Sequence, residues 1–355
     1  MIPASPLLGS ALLSVGAMTA ALCYTPQQKL QGWSWQTYWL SQALICWFIA
    51  PIIGAFLTIP DTIQVLQAAP KNAMVVTFLL GVAYGIGGTA FGLAIRYVGY
   101  SLTYAIAIGI SCVLGTLTGP VVSGTLRSMM DKPGFGWVMA GVFVGLAGTL
   151  LCGLAGRMKE VELERDQNAK QPFMLTKGLT LCLIAGVLSG IYGIAINDTG
   201  KPIADTAAQF GAGHWQTNIV YIFVNSGAFL TTALYTIGLG MRNKTFGEFR
   251  QVNGHGSRVL TLNYMMALLT GCMWYAQFLF YGLGHVRMGA FRFSSWAIHM
   301  TMLILFSTIA GLAMKEWHGR SRRTRAAIAL ALTVLVAAVL ILTYGNYLGE
   351  QLPGH

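Results

Sequence analysis

Residues 271–289 read Gly271-Cys272-Met273-Trp274-Tyr275-Ala276-Gln277-Phe278-Leu279-Phe280-Tyr281-Gly282-Leu283-Gly284-His285-Val286-Arg287-Met288-Gly289. Residues 81–99 echo them at a constant offset of 190. Gly81 answers Gly271, Tyr84 answers Trp274 and Phe91 answers Tyr281, while Gly92, Leu93 and Gly99 answer Gly282, Leu283 and Gly289. A weaker echo at offset 192 pairs Thr116 and Gly119 with Thr308 and Gly311. The two long stretches fall in the third and eighth apolar segments of the chain. The copies are therefore five segments apart, and an odd number of membrane crossings puts them in opposite orientations. Inverted repeats of this kind characterise secondary transporters, whose substrate site lies between the repeats near the midplane.

Composition agrees. Of 355 residues, 55% are hydrophobic and 9% charged, whereas soluble domains carry about 25% charged residues. The mean hydropathy is +0.62. So few charges could not cover a soluble surface, and so much apolar character excludes disorder. One membrane crossing takes about 20 apolar residues. Ten segments qualify, at roughly 6–24, 37–59, 73–95, 99–122, 135–156, 178–197, 216–240, 259–284, 293–314 and 325–348. None alternates with period two, which argues against a membrane barrel. The expected fold is an all-α integral membrane protein with ten transmembrane helices as two inverted five-helix repeats. Residues 1–156 form the first repeat, 157–177 a cytoplasmic linker loop and 178–355 the second repeat. A signal peptide needs a basic n-region, and no Lys or Arg precedes Lys29, so the stretch Pro6–Tyr24 is read as the first membrane helix.

The net charge of +11 would suggest nucleic acid in a soluble protein. Its distribution says otherwise. Loops after odd-numbered segments hold 16 of the 22 Lys and Arg, and loops after even-numbered segments hold 6. By the positive-inside rule the odd loops are cytoplasmic and both termini periplasmic. Arg320, Arg322, Arg323 and Arg325 form the densest run. It reads as a topology anchor, or as a binder of anionic lipid headgroups.

Groups that could do chemistry are few. The eleven carboxylates all fall outside or near the ends of the ten segments, so the acid/base pairs of a hydrolase are missing. No phosphate-cradling G-x-x-x-x-G-K-S/T loop occurs. The six cysteines are scattered through apolar stretches with no C-x-x-C pair. They read as small core hydrophobes, without a metal site or disulfide. No enzyme and no cofactor is expected. His299 is the one titratable group within an expected span. It is a candidate proton carrier, or a neutral packing histidine. Asp198, beside Asn197 and Lys201, comes next. It caps a helix or pairs with Lys201, or else it binds proton or substrate.

Trp274, Gln277, Phe278, Tyr281 and His285 share one helical face. Aromatic rings with an amide and hydroxyls suit a sugar, which has apolar C–H faces and a hydroxyl belt. The same face could simply pack against neighbouring helices, although an amide in lipid needs a partner. Trp33, Trp35, Tyr38 and Trp39 read as an interfacial aromatic belt.

Several of these motifs resemble the bacterial L-rhamnose–proton symporter family. They are Trp33-Ser34-Trp35-x-Thr37-x-Trp39, Gly85-Ile86-Gly87 through Gly92-Leu93-x-x-Arg96-Tyr97-x-Gly99, Ile106-Ala107-Ile108-Gly109-Ile110 with Gly115-Thr116-Leu117, the 271–289 stretch, Ser295-Trp296-x-x-His299-Met300 and Lys315-Glu316-Trp317. Resemblance covers nearly the whole chain. It implies the drug/metabolite transporter superfamily, ten helices in two inverted repeats, and uptake of L-rhamnose or a related 6-deoxyhexose with protons across the bacterial inner membrane. The partners implied are a small sugar, protons and membrane lipid, with no nucleic acid and no obligate protein partner. The expected sugar site joins Trp274, Gln277, Phe278 and Tyr281 to Tyr84 and Phe91 of the symmetry-related helix, and to Asn197. His299 carries the proton, with Asp198 in reserve. The chain departs from the family pattern in places. Phe291-Arg292-Phe293 replaces an acid-bearing Gln-Tyr-Asp, Gly87-Gly88 replaces a Gly-Asn pair, and Asp198 stands at an alanine-like position. The alternative reading is a transporter of the same fold carrying another sugar or metabolite, without proton coupling.

Overall fold

The structure, a computed structural model, describes residues 4–122, 124–165, 174–252 and 256–351. Among them ten helices are long and apolar enough to cross a membrane, and there are no strands. They are α1 (Pro6–Lys29), α2 (Trp35–Thr58), α3 (Lys71–Ile95), α4 (Tyr104–Val122), α5 (Phe135–Leu163), α6 (Thr176–Gln209), α7 (Gly213–Asn243), α8 (Ser257–His285), α9 (Gly289–Ala313) and α10 (Arg322–Gln351). Each corresponds to one expected segment. Of the expected linker 157–177, residues up to Arg165 continue the fifth helix and Leu175 begins the sixth. Residues 166–173 lie outside the described residues. Large apolar side chains such as Leu57, Phe143, Leu234 and Leu340 point outward, the inside-out surface that a lipid solvent allows.

The packing follows a rule. α1 lies between α8 and α9, and α6 lies between α3 and α4. α3 packs on α7, and α8 packs on α2. α5 packs on α10. Adding five to every helix number, counting on from α10 to α1, maps each of these pairings onto another, and α5–α10 onto itself. Glycines set the closest crossings, because lipid supplies no hydrophobic drive between helices and backbones gain by approaching. At the α5–α10 crossing, a Cβ on Gly345 would lie 2.7 Å from the Val138 nitrogen and 2.9 Å from the Gly134 oxygen. In α3 and α8 the offset-190 pair behaves alike. Gly81 abuts the α7 backbone at Val224, and Gly271 abuts the α2 backbone at Gln42.

Three helices widen locally into π turns, at Leu44–Ile49, Tyr104–Ile108 and Ala195–Thr199. Two of them end just before a proline-bearing turn, with Pro51 and Pro202 downstream. Proline has no N–H to give the carbonyl four residues back. The turn rewires instead: Gly200 N–H donates to Ala195 O, five residues back, at 2.9 Å. Carboxylates tie helix ends together at the end of the bundle that bears the odd-numbered loops. The Glu248 carboxylate, between α7 and α8, accepts from Ser34 N and Ser34 Oγ (both 2.7 Å) and Thr37 Oγ1 (2.6 Å) at the start of α2. Glu162 does the same for α10, through Ser321 N (2.9 Å), Ser321 Oγ (2.6 Å) and Thr324 Oγ1 (2.5 Å).

Two expectations need correction. Tyr38 and Trp39 are buried in the protein interior and are not an interfacial belt. Their face of α2 turns toward α8, where the Tyr38 hydroxyl meets Thr270 Oγ1 at 2.8 Å. Of the cysteines, five are buried but Cys272 is exposed on the outer face of α8.

Replacing Gly345 by Val should force α5 and α10 apart and cost about 1–3 kcal/mol, as overpacking does. A lower apparent melting temperature in detergent is the expected readout. An unchanged melting curve would mean the crossing tolerates a side chain.

Candidate functional site

A cavity occupies the middle of the bundle, between α1, α3, α4, α6, α8 and α9. Five of the residues expected in a sugar site line it: Tyr84, Phe91, Trp274, Gln277 and Phe278. The side chains of α8 arrive together because its apolar-polar stripe repeats every three to four residues and that face turns inward. Tyr24, Tyr104, Tyr192 and Trp296 complete the aromatic wall. The π turn at the start of α4 carries Tyr104 and Ile108, which both face the cavity.

Those four additional aromatics are the residues that sequence reasoning missed. Part of the signal was present. Tyr104 and Trp296 stand at the offset of 192 that relates Thr116 to Thr308. The two sites they occupy are equivalent. Phe91 meets Tyr104 edge-on with ring centroids 4.9 Å apart. Tyr281, the counterpart of Phe91, meets Trp296 edge-on at 5.4 Å.

Most buried polar groups around the cavity have partners. The Tyr192 hydroxyl donates to Asn225 Oδ1 at 2.6 Å, and Tyr221 donates to the Phe278 carbonyl at 2.7 Å. Trp296 Nε1 donates to the Ser111 carbonyl at 3.0 Å. Gln277 differs. It is 6% exposed and lines the cavity, and no hydrogen bond to its amide occurs among the described residues. The indole Nε1 atoms of Trp39, Trp47 and Trp274 are likewise buried without a partner. Trp274 is set edge-on to both Trp47 and Trp39. Donors and an amide without protein partners, set among aromatic faces, fit a ligand that is apolar on its faces and hydroxylated on its rim.

Tyr281 and Asn197 do not line this cavity. They close one end of it. The Tyr281 hydroxyl lies 2.9 Å from Asn197 Oδ1 and 3.0 Å from Ser295 Oγ, and Ser295 Oγ lies 2.7 Å from His285 Nδ1. One directional chain satisfies all four groups, with His285 donating to Ser295, Ser295 to Tyr281 and Tyr281 to Asn197. His285 was expected just past a span but belongs to α8 and is buried. His299 is therefore joined by a second histidine inside the bundle.

His299 sits behind the cavity wall and faces α1. Its Nδ1 lies 3.3 Å from the Leu13 carbonyl oxygen, and its ring meets Tyr281 edge-on at 5.4 Å. Asp198 stands inside α6, in the π turn, because that helix runs on past the expected end at 197 to Gln209. Asp198, expected just past the end of the sixth segment, thus lies within the helix. Asp198 forms no ion pair among the described residues. Lys201 pairs with Asp205 instead, at 2.5 Å. The Asp198 carboxylate rests on Gly119 of α4, where a Cβ would come within 2.7 Å of Oδ1.

A bundle of ten apolar spans around an aromatic-walled cavity fits a multi-pass membrane transporter. Residues 4–347 match the family model described as L-rhamnose-proton symport protein (RhaT). Proteins named L-rhamnose-proton symporter from Cronobacter sakazakii and Escherichia coli are each 31% identical over 338 residues, covering 93% of this chain and 95% of the relative. One from Yersinia pestis is 31% identical over 335 residues, with the same coverage. The chain belongs to the L-rhamnose-proton symporter family, which is a family of transporters and not of enzymes.

Replacing Tyr281 by Phe removes the hydroxyl that links Asn197 to Ser295. Leaving those buried groups short of a partner should cost about 1–3 kcal/mol, read as a drop in apparent melting temperature. Full stability would show that the chain of four groups holds nothing.

Proposed function

We propose that this protein takes up L-rhamnose together with protons across the bacterial cytoplasmic membrane, by alternating access between two inverted five-helix halves, 1–156 and 178–355. The observation that carries the sugar reading is Gln277, a buried amide with no protein partner, set in a cavity walled by Tyr84, Trp274 and Phe278. Ring faces of this kind take the apolar face and methyl group of a 6-deoxyhexose. The amide both donates to and accepts from its hydroxyls. Family membership supports the same cargo, since the curated relatives are named for L-rhamnose.

The helix pairings that repeat on adding five support the inverted halves. Two aromatic pairs bound the cavity along the bundle axis, Phe91 with Tyr104 on the side of the odd-numbered loops and Tyr281 with Trp296 on the other. Tyr281 is latched by Asn197 and Ser295, whereas Phe91 has no hydroxyl to latch. In this conformation the Tyr281 side is shut, and opening it requires that the hydrogen bonds part. Tyr281 also touches both candidates for the coupling proton, His299 directly and Asp198 through its neighbour Asn197. We assign the proton to His299 first and Asp198 second. The 16-to-6 split of basic residues supports cytoplasmic odd-numbered loops and periplasmic termini.

Energy-depleted cells expressing the protein should alkalinise the medium when L-rhamnose is added. Sugar uptake with no pH change would overturn the coupling. The variant Gln277→Ala should weaken L-rhamnose binding at least tenfold, about 1.4 kcal/mol. Undiminished binding would remove Gln277 from the site. For orientation, a cysteine replacing Ser5 should react with an impermeant maleimide in intact cells, and one replacing Ser321 should not. The opposite pattern would invert the topology.

A further inference from the structure

A second hollow begins on the far side of Tyr24 and opens toward the end of the bundle where α1 meets α2 and α9 meets α10. Tyr24 lines both this hollow and the central cavity. Three aromatic rings form its floor. Trp35 and Trp39 stack with centroids 5.0 Å apart and planes 20° apart, and Tyr24 stacks on Trp39 at 5.7 Å and 7°. Gly92 of α3 packs against the edges of both indoles, where a Cβ would come within 3.0 Å of the Trp39 ring and 3.2 Å of the Trp35 ring.

The polar rim is equally specific. The Gln27 side chain makes no hydrogen bond among the described residues; its backbone N–H donates to Tyr24 O at 3.2 Å and its carbonyl accepts from Leu30 N at 3.2 Å. The only one from the Gln28 side chain is a weak contact to Met314 Sδ at 3.6 Å. Trp39 Nε1, buried in the wall, has no partner. Glu316 supplies a carboxylate at the mouth. It is fixed in place by Lys159 at 3.5 Å, a cation that is itself 5% exposed and sits 5.0 Å above the Trp317 ring. A carboxylate held by one partner keeps acceptor sites free for hydroxyls. A stacked floor alone would read as packing. The same rings bordering a hollow, with amides and a carboxylate at its rim, have the chemistry that takes a carbohydrate.

We propose that this hollow is a second sugar subsite, a vestibule that holds a 6-deoxyhexose between the central cavity and the odd-numbered loops. It rests on the sugar reading given above and adds a station on the transport path. Tyr24, shared by the two hollows, is the partition that the sugar passes.

Equilibrium dialysis of labelled L-rhamnose against the purified full-length protein in lipid nanodiscs tests it. The expected result is two sites per chain. Gln277→Ala should leave the vestibule site, and Trp35→Ala combined with Gln27→Ala should leave the central one. Trp35→Phe, which keeps a ring face, should restore two. Melting curves of each variant report whether it folds, and Gln27→Ala alone carries the test if the double variant does not. A single site per chain, abolished by Gln277→Ala and indifferent to Trp35 and Gln27, overturns the vestibule and leaves the central site standing. Two sites of which neither responds to Trp35 or Gln27 also overturn it. No L-rhamnose binding to the unaltered protein overturns the sugar reading itself, and the vestibule with it.

Discussion

Inside a bilayer there is no water to satisfy a polar group, so every N–H and hydroxyl must find its partner in the protein. The rest of this structure follows from that constraint. The backbone meets it by forming helices, and where prolines remove a donor the helices α2 and α6 shift to π turns. The tyrosines meet it by reaching across to neighbouring helices, Tyr38 to Thr270, Tyr192 to Asn225 and Tyr221 to the Phe278 carbonyl. Each such bond staples two helices and fixes their rotation. Against this background the unpartnered groups stand out. Gln277 and the indole nitrogens of Trp39, Trp47 and Trp274 cluster on the facing sides of α2 and α8, beside the two hollows.

Close helix approach is the second consequence of a lipid solvent. Apolar side chains gain nothing by leaving lipid for a neighbouring helix, so contact must come from fit and from short backbone distances. Glycines at Gly81, Gly271 and Gly345 let main chains meet. The equivalent crossings of α3 with α7 and α8 with α2 use the glycines of the 190-residue echo, so the echo is a record of packing. Glycines facing the cavities have another use. Gly92 lets α3 approach the edges of Trp35 and Trp39, where a side chain would collide.

Much of the site was legible in the chain. The stripe on α8 was read correctly as inward-facing, and its partners Tyr84 and Phe91 followed from the echo. Tyr281 shares that face but does not line the cavity, and its hydroxyl meets other helices instead. That distinction depends on Asn197 and Ser295, which come from other helices. In α4 the π turn at Tyr104–Ile108 inserts a residue and rotates the face that follows, so a 3.6-residue period does not carry from Tyr104 along the helix. Asp198 and His285 were assigned outside the spans because polar residues lower local hydropathy. Hydropathy marks where lipid ends, but helices that pack on one another run further.

The sequence by itself determined the class, the number of spans and the imbalance of basic residues between the two faces. Those are properties of composition and of one-dimensional order, set by what hydrocarbon and water each accept. It also determined family membership, since the motifs that carry it are contiguous. Only the tertiary structure decided which aromatic groups meet, which hydroxyls are spent on one another and which remain free. The pairing of Tyr281 with Asn197 spans 84 residues, and that of Lys159 with Glu316 spans 157. Such pairings depend on helix rotation and crossing, which are fixed by glycine contacts and π turns acting together.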